Sequence, residues 1–272
     1  MKPTAWTGMI LAILLSLFSH SLEAQYIYPG DINDDGIVDG VDFLRLGQVY
    51  RAMGTPREQI TTDFSPQAAP NRRWATDFSN GLNSYYADCN GDGYINYKDI
   101  KSAILGNFGK RHGKRHPGNR QSIQKSAQAV ALAFLPDTDS ISSGQQVNVE
   151  ITLGDIALPV SDFYGLTFDV VFDATLIDWD ELPDFFLPSF MWYAPTPSDK
   201  RHISIIDPND PGRFTISITR IDQQSISGHG LIGRVTVVIE DIDGFRIVDD
   251  LYTIENVLLV DENGTSHPVV VQ

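Results

Sequence analysis

Two runs of twelve residues place oxygen-bearing side chains at a shared spacing: Asp31-Ile-Asn-Asp-Asp-Gly-Ile-Val-Asp-Gly-Val-Asp42 and Asp88-Cys-Asn-Gly-Asp-Gly-Tyr-Ile-Asn-Tyr-Lys-Asp99. Oxygen side chains fall at positions 1, 3, 5, 9 and 12: Asp31, Asn33, Asp35, Asp39 and Asp42 in the first run, and Asp88, Asn90, Asp92, Asn96 and Asp99 in the second. Both have Gly at position 6 and a β-branched apolar residue at position 8. This pattern describes a calcium loop. A hard cation takes roughly six to eight oxygens at about 2.3–2.6 Å, and a short loop supplies them when alternate residues point inward and a Gly permits the sharp turn. Position 7 contributes its backbone carbonyl, here Ile37 and Tyr94. The expectation is two calcium ions.

Each loop needs a helix to hold its far end. After the first, Leu46, Val49, Tyr50 and Met53 make a helical stripe that starts near Asp42 and ends at Gly54. After the second, Ile100, Ile104 and Phe108 recur every four residues, and Gly109 supplies the stop. An ordinary EF-hand also has a helix before its loop and a bidentate Glu at position 12. Here Tyr26 to Gly30, containing Pro29, leaves no room for that helix, and position 12 is Asp in both copies.

With those two departures, the doubled loop–helix unit resembles a type I dockerin, a calcium-binding module that plugs into cohesin domains. The matching residues are Asp31, Asn33, Asp35, Gly36, Val38 and Asp42, then Asp88, Asn90, Asp92, Gly93, Ile95, Asn96 and Asp99. Asp39 stands where the family usually has Asn, so loop 1 carries four carboxylates against three in loop 2 and should bind calcium more tightly. The spacing of the loops also departs from compact dockerins. Residues 55–87 form an insertion holding Phe64, Trp74, Phe78, Tyr85 and Tyr86, either packed on the two helices or forming a platform for a partner or sugar.

The stretch 113–126 is basic, rich in Gly, Pro and Asn, and nearly devoid of apolar residues, which reads as an exposed linker. The His residues around it have no carboxylate or Cys companion at ligand spacing, so zinc is not indicated. Beyond it the apolar period changes to two. Val147, Val149, Ile151 and Leu153 alternate with polar residues, as do Leu166, Phe168, Val170 and Phe172, then Phe214, Ile216 and Ile218, then Val235, Val237 and Ile239, then Val269 and Val271. Strands with no helices between them predict an antiparallel β-sandwich over 127–272. The segments Ser142 to Leu153, Tyr164 to Leu176 and Gly228 to Ile239 are similar to strands and turns of cohesins, a pattern shared with jelly-roll carbohydrate-binding sandwiches. Residues 183–198, with Phe185, Phe186, Phe190, Met191, Trp192 and Tyr193, break the alternation and read as a loop or flap over one sheet edge.

The expected fold class is therefore mainly β with a small α domain: a jelly-roll or cohesin-like antiparallel sandwich preceded by a dockerin-like domain over 25–112. The N-terminus, Lys2 followed by the apolar run Gly8 to Phe18, reads as a signal peptide over 1–24, giving a secreted product in an extracellular, cell-surface or periplasmic location. A formal net charge of −15 argues against nucleic-acid binding. Cys89 is the only cysteine, so there is no disulfide framework, and its place at loop position 2 suggests an exposed residue rather than a ligand. No G-x-S-x-G, HExxH or Cys/His pair is present. The acidic group Asp178, Asp180, Glu181 and Asp184 reads as a solvated turn.

The resemblance implies a non-catalytic, calcium-dependent assembly module associated with polysaccharide degradation. Its partner would be a cohesin- or dockerin-bearing protein, including this chain itself. A secreted carbohydrate-binding protein is the alternative, and an accessory or unrecognised hydrolase is a second one. No membrane span after signal cleavage is expected.

Overall fold

The structure, a computed structural model, describes residues 26–113, 129–173, 175–177, 186–189, 192–194, 196, 200–240, 242–244, 246–248 and 251–272. The expected signal segment, all of the expected linker after Gly113, the acidic group at 178–184, and Phe185, Phe190 and Met191 lie outside the described residues. No described helix is long and apolar enough to cross a membrane.

The strands, in chain order, are β1 Tyr26–Ile27, β2 Gln67–Ala68, β3 Val130–Pro136, β4 Ser140–Ile141, β5 Gln146–Leu153, β6 Val160–Phe163, β7 Gly165–Phe172, β8 Phe186–Pro188, β9 Lys200–Asp207, β10 Asp210–Arg220, β11 Ile226–Gly228, β12 Gly230–Val238, β13 Arg246–Ile247, β14 Tyr252–Val260, β15 Ser266–His267 and β16 Val269–Val271. Two five-stranded sheets, ordered β15-β14-β7-β10-β9 and β16-β3-β5-β12-β8, form the sandwich. Their alternating residues meet inside: Val147, Val149, Ile151 and Leu153 from one sheet, and Leu166, Phe168, Val170, Ile216 and Ile218 from the other, are all essentially inaccessible. Phe134 and Phe168 contact edge to face across this core at 5.7 Å.

One pair departs from the antiparallel expectation, because β16 runs parallel to β3. These strands come from opposite ends of the sandwich sequence, so no hairpin dictates their relative direction. The region expected to be a flap instead supplies β8, which pairs with the edge of β12. Tyr193 follows, fully buried, with its hydroxyl donating to the Ile232 carbonyl at 2.9 Å.

The loop–helix unit is smaller. Helix α1 spans Gly40–Gln48. Helix α2 runs through three consecutive pieces, Tyr97–Asp99, a π-type turn at Ile100–Ile104, and Leu105–Asn107. The predicted first helix, Asp42 to Gly54, is thus shorter in the structure, which ends it at Gln48. Leu46, Val49 and Tyr50 are buried as the stripe requires, but Met53 is 67% exposed. The reason is local: Arg51 adopts a left-handed φ of +72°, turning the chain so that residues 51 and 52 pair with the backbone of Ile95. Gly109, at φ +75°, ends the second helix as predicted.

The insertion lies mostly at the surface but sends four of its aromatic rings into the core. Trp74, Phe78, Tyr85 and Tyr86 are each under 7% exposed and pack with Phe43, Leu46, Ile100 and Ile104. Packing on the helices therefore accounts for these four rings, and no platform is formed from them.

The two parts of the chain share one core. Phe43, Leu44 and Leu46 of α1 cluster with Ile203, Ile221 and Val260 of the sandwich. Helix α1 lies across the outer face of β7 and β10, and for that reason β7 is buried on both faces. Outward-pointing Thr167, Thr215, Ser217 and Thr219 are all at most 5% exposed.

Candidate metal centre

The two loops fold alike from the side chains up. In loop 1 the Asp31 carboxylate accepts the backbone N–H groups of Asp35 (3.1 Å) and Gly36 (2.9 Å), Asn33 Oδ1 accepts that of Asp35 (3.0 Å), and Asp35 Oδ1 that of Ile37 (3.1 Å). In loop 2 Asp88 accepts from Gly91 and Gly93 (both 3.0 Å), Asn90 from Asp92 (2.9 Å), and Asp92 from Tyr94 (3.0 Å). These short Asx bonds curl the chain and turn alternate oxygens inward. Gly36 and Gly93 at position 6 take φ of +92° and +87°, the region where a Cβ is strained.

Position 12 joins each loop to its helix. Asp42 accepts from the backbone of Ile32 (2.7 Å), Asn33 (3.1 Å) and Asp39 (2.8 Å), and Asp99 accepts from Asn90 (3.1 Å) and Asn96 (2.8 Å). Position 9 caps the helix: Asp39 accepts from Val41 N–H at 2.8 Å and Asn96 from Lys98 N–H at 2.9 Å. With position 12 they make a capping box at both sites. An Asp at position 12 is short enough to reach the loop's own amides, and each of the two carboxylates retains lone-pair capacity for a cation, in Asp42 on Oδ2.

The loops also brace one another. Val38 at position 8 of loop 1 pairs its backbone with Gly109 and Lys110, just after α2, while Ile95 at position 8 of loop 2 pairs with Arg51 and Ala52, just after α1. Each loop is thus closed by the segment that follows the other loop's helix. The β-branched side chains of Val38 and Ile95 are buried by the same arrangement.

The oxygen set is desolvated. Asp31, Asn33, Asp35, Asp42, Asp88 and Asp99 are buried, and Asp39, Asn90, Asp92 and Asn96 are half-buried. Burial, followed by the charges of Asp31, Asp39 and Asp35, pushes the Asp42 carboxyl well above the usual carboxylate range. Burial also raises Asp31, opposed by a hydrogen bond with His112. In loop 2, burial carries Asp88 up to about 6 and Asp99 up to about 7, with the Asp92 charge adding to both. An all-oxygen, carboxylate-rich set packed at this density fits a hard divalent cation, whose charge would hold every one of these groups ionised.

The sign of the pH effect follows. These carboxyls have raised values in the folded, metal-free chain, so their contribution to stability is present below the ordinary carboxylate value of 3.8 and is lost as pH rises through 6 to 7. Metal-free protein should melt lower at pH 7.5 than at pH 5. Calcium selects the ionised form, so its affinity should weaken about tenfold per pH unit per displaced proton as pH falls below roughly 7. Titration calorimetry at pH 5.5 and 7.5, in two buffers of different ionisation heat, measures both affinity and released protons. Equal affinity at the two pH values would contradict the burial described here.

Three features escape a reading of the sequence. His112 Nε2 lies 2.6 Å from Asp31 Oδ2, and the ligand-capable atoms of Asp31, Asp34 and His112 lie within 4.8 Å of one another. The sequence reading gave this histidine no carboxylate companion; the pairing of residues 109–112 with loop 1 supplies one from 81 positions away. Arg57 of the insertion donates to the Asp88 carbonyl at 2.6 Å and the Cys89 carbonyl at 2.9 Å, bracing loop 2. Finally, Cys89 is not exposed but fully buried and unpaired. Its position-2 side chain does point away from the loop centre, and that direction is the core, as it is for Ile32 in loop 1.

Residues 29–104 match the family described as Dockerin type I domain. This dockerin region contains both loops, α1, the insertion and α2 as far as Ile104. No curated protein matches the chain. Among solved structures, the chain is similar to type II cohesin A11 from Bacteroides cellulosolvens, at 16% identity over 52% of this chain and 99% of that one, with a TM-score of 0.39. It is also similar to a type II cohesin domain from the cellulosome of Acetivibrio cellulolyticus, at 13% identity over 53% and 92%, TM-score 0.40. A non-cellulosomal cohesin from the hyperthermophilic archaeon Archaeoglobus fulgidus aligns at 13% identity over 53% and 86%, TM-score 0.35.

A dockerin type I domain implies calcium binding, and no catalytic domain is found by these comparisons. An open cavity of about 340 Å³ lies where the dockerin region meets the sandwich, lined by residues that include Leu44, Arg45, Gln48, Asn80, Leu258 and Gly264. Among the described residues its lining carries no carboxylate.

Proposed function

We propose that this chain is an exported, non-catalytic assembly module whose dockerin region is held in shape by two calcium ions. Loop 1 would bind through Asp31, Asn33, Asp35, the Ile37 carbonyl, Asp39 and Asp42, and loop 2 through Asp88, Asn90, Asp92, the Tyr94 carbonyl, Asn96 and Asp99. The observation that carries the reading is the duplicated, desolvated oxygen set within a region that matches the dockerin type I family. The partner is a cohesin- or dockerin-bearing protein, and the process served is polysaccharide degradation. The ions, when bound, supply charge neutralisation and loop closure. The chain's own residues cap the helices and close each loop with the backbone that follows the opposite helix.

Calcium titration of the full chain should return two ions, and one after either Asp31→Ala or Asp88→Ala. Binding of the immobilised full chain to purified cohesins and dockerins, in calcium and in chelator, tests the assembly role. A chain that takes up no calcium, or that engages no such module in either condition, overturns this reading.

A further inference from the structure

The outer face of β7 and β10 is already covered, and what covers it is a helix that begins inside a calcium loop. We infer that α1 is a calcium-set latch: it seats on the sheet β15-β14-β7-β10-β9 of its own chain, so that this sheet face is withheld from other molecules until loop 1 is emptied. This rests on the calcium reading above and adds the partner, the chain's own sandwich, and the control.

The fit is specific. A Cβ at Gly40 would collide with the Thr167 and Ser217 hydroxyls, and a Cβ at Gly47 with Thr219 and, at 2.8 Å, with the Arg220 carbonyl. Between them Leu44 enters a notch opened by Gly165, where a Cβ would lie 2.9 Å from the leucine side chain. The Tyr164 hydroxyl donates to the Gly47 carbonyl at 2.8 Å, which ties the residue leading into β7 to the helix end. Gln223 Nε2 donates to the Tyr50 carbonyl at 3.2 Å, and the Arg201 guanidinium lies 5.3 Å from the Tyr50 ring centre.

The covered sheet face is polar at its centre and flanked by the apolar Ile203 and Val260, which cluster with Phe43, Leu44 and Leu46 of α1. The central residues of the face are Thr167, Thr215, Ser217 and Thr219 rather than aliphatic ones. Their hydroxyls are satisfied within the sheet: Thr167 with Ser217 at 2.6 Å, Thr215 with Asp169 at 2.6 Å, and Thr219 with the Arg220 carbonyl at 3.0 Å. Covering them strands no polar group, and uncovering them exposes hydroxyls that water accepts. Control by calcium follows from continuity. Asp39 caps α1, and Asp42 in its first turn holds three loop amides, so the shape of loop 1 and the start of the docking helix are one structure. Emptying loop 1 removes the cation that would tie these loop oxygens together at the point where α1 must begin.

The test uses the full chain with a protease site inserted between residues 113 and 129, cut after folding. In calcium the two pieces should co-elute on size exclusion; in chelator they should separate. Gly47→Leu should weaken the association about thirty- to hundredfold, the consequence of overpacking a close contact, while two calcium ions still bind. Tyr164→Phe, which introduces no clash, should weaken it several-fold by removing one buried hydrogen bond. Pieces that separate in calcium with both ions bound overturn the latch, and pieces that stay together equally well in chelator overturn its control by calcium. Failure to bind calcium at all would instead count against the proposed function, so the two failures are distinguishable.

Discussion

Chelation of calcium from the full chain should unfold residues 26–113 and leave the sandwich folded. Helix α1 has nine residues and α2 is broken into three pieces, too little helix to persist without tertiary support. The core of the unit is built around loops whose buried carboxylates repel one another when no cation is present. With free calcium a thousandfold above the dissociation constant, each site adds about 4 kcal/mol to stability. Two sites therefore supply an amount comparable to the whole stability of a small domain. Amide exchange reads this directly. In chelator, protection should collapse at Val38, Ile95 and Gly109, whose N–H groups close the loops, and should persist at Val235 and Ile216 inside the sandwich sheets. Retained protection at Val38 and Ile95 after chelation would sink the claim that metal supplies folding energy here. Complete loss of protection in the sandwich would show that the shared core, rather than each sheet's own interior, is what holds the second half together.

The pattern behind this expectation was legible in the sequence because calcium loops are local. Twelve consecutive residues fix their own turn, and oxygens at alternate positions need no distant partner to be recognised. The sandwich strands were legible for the same reason, since a period of two is a property of each strand alone. What the sequence could not convey was non-local. His112 beside Asp31, Arg57 beside the Asp88 carbonyl, and the burial of Cys89 all depend on which segment folds back upon which loop. The over-long first helix is a case of local pattern misleading: Met53 continues the stripe, but pairing of residues 51 and 52 with Ile95 takes the chain out of the helix before Met53 is reached. One clue to the covered sheet was present in plain sight. The outward positions of β7 and β10 beneath α1, Thr167, Thr215, Ser217 and Thr219, carry hydroxyls in place of the charged residues that a solvent-facing strand usually shows, and α1 has Gly at both ends of its docking face. Small residues on both partners are what a close helix-on-sheet contact requires.

Phe168→Ala should cost about 3–5 kcal/mol of sandwich stability, with or without calcium. Phe168 is fully inaccessible, sits at the centre of β7, and contacts Phe134 of the opposite sheet edge to face. Its direct partner across the ladder is Ile216, also fully buried, so the removed ring leaves a cavity that two rigid sheets cannot collapse to fill. Side chains alternate strictly, so the neighbours Thr167 and Asp169 point the other way, toward α1 and the polar cluster around Arg213. That alternation separates two classes of substitution. Loss of Phe168 acts on the interior between the sheets, which does not depend on what covers the outer face. Loss of Leu44, buried between α1 and Gly165, acts only while the helix is seated, so Leu44→Ala should destabilise in calcium and have almost no effect on the sandwich in chelator. Denaturant unfolding followed in both conditions measures each cost. A Phe168→Ala cost below about 1 kcal/mol would mean that the register of β7 is inverted. A Leu44→Ala cost of equal size in calcium and chelator would mean that α1 stays seated when its loop is empty.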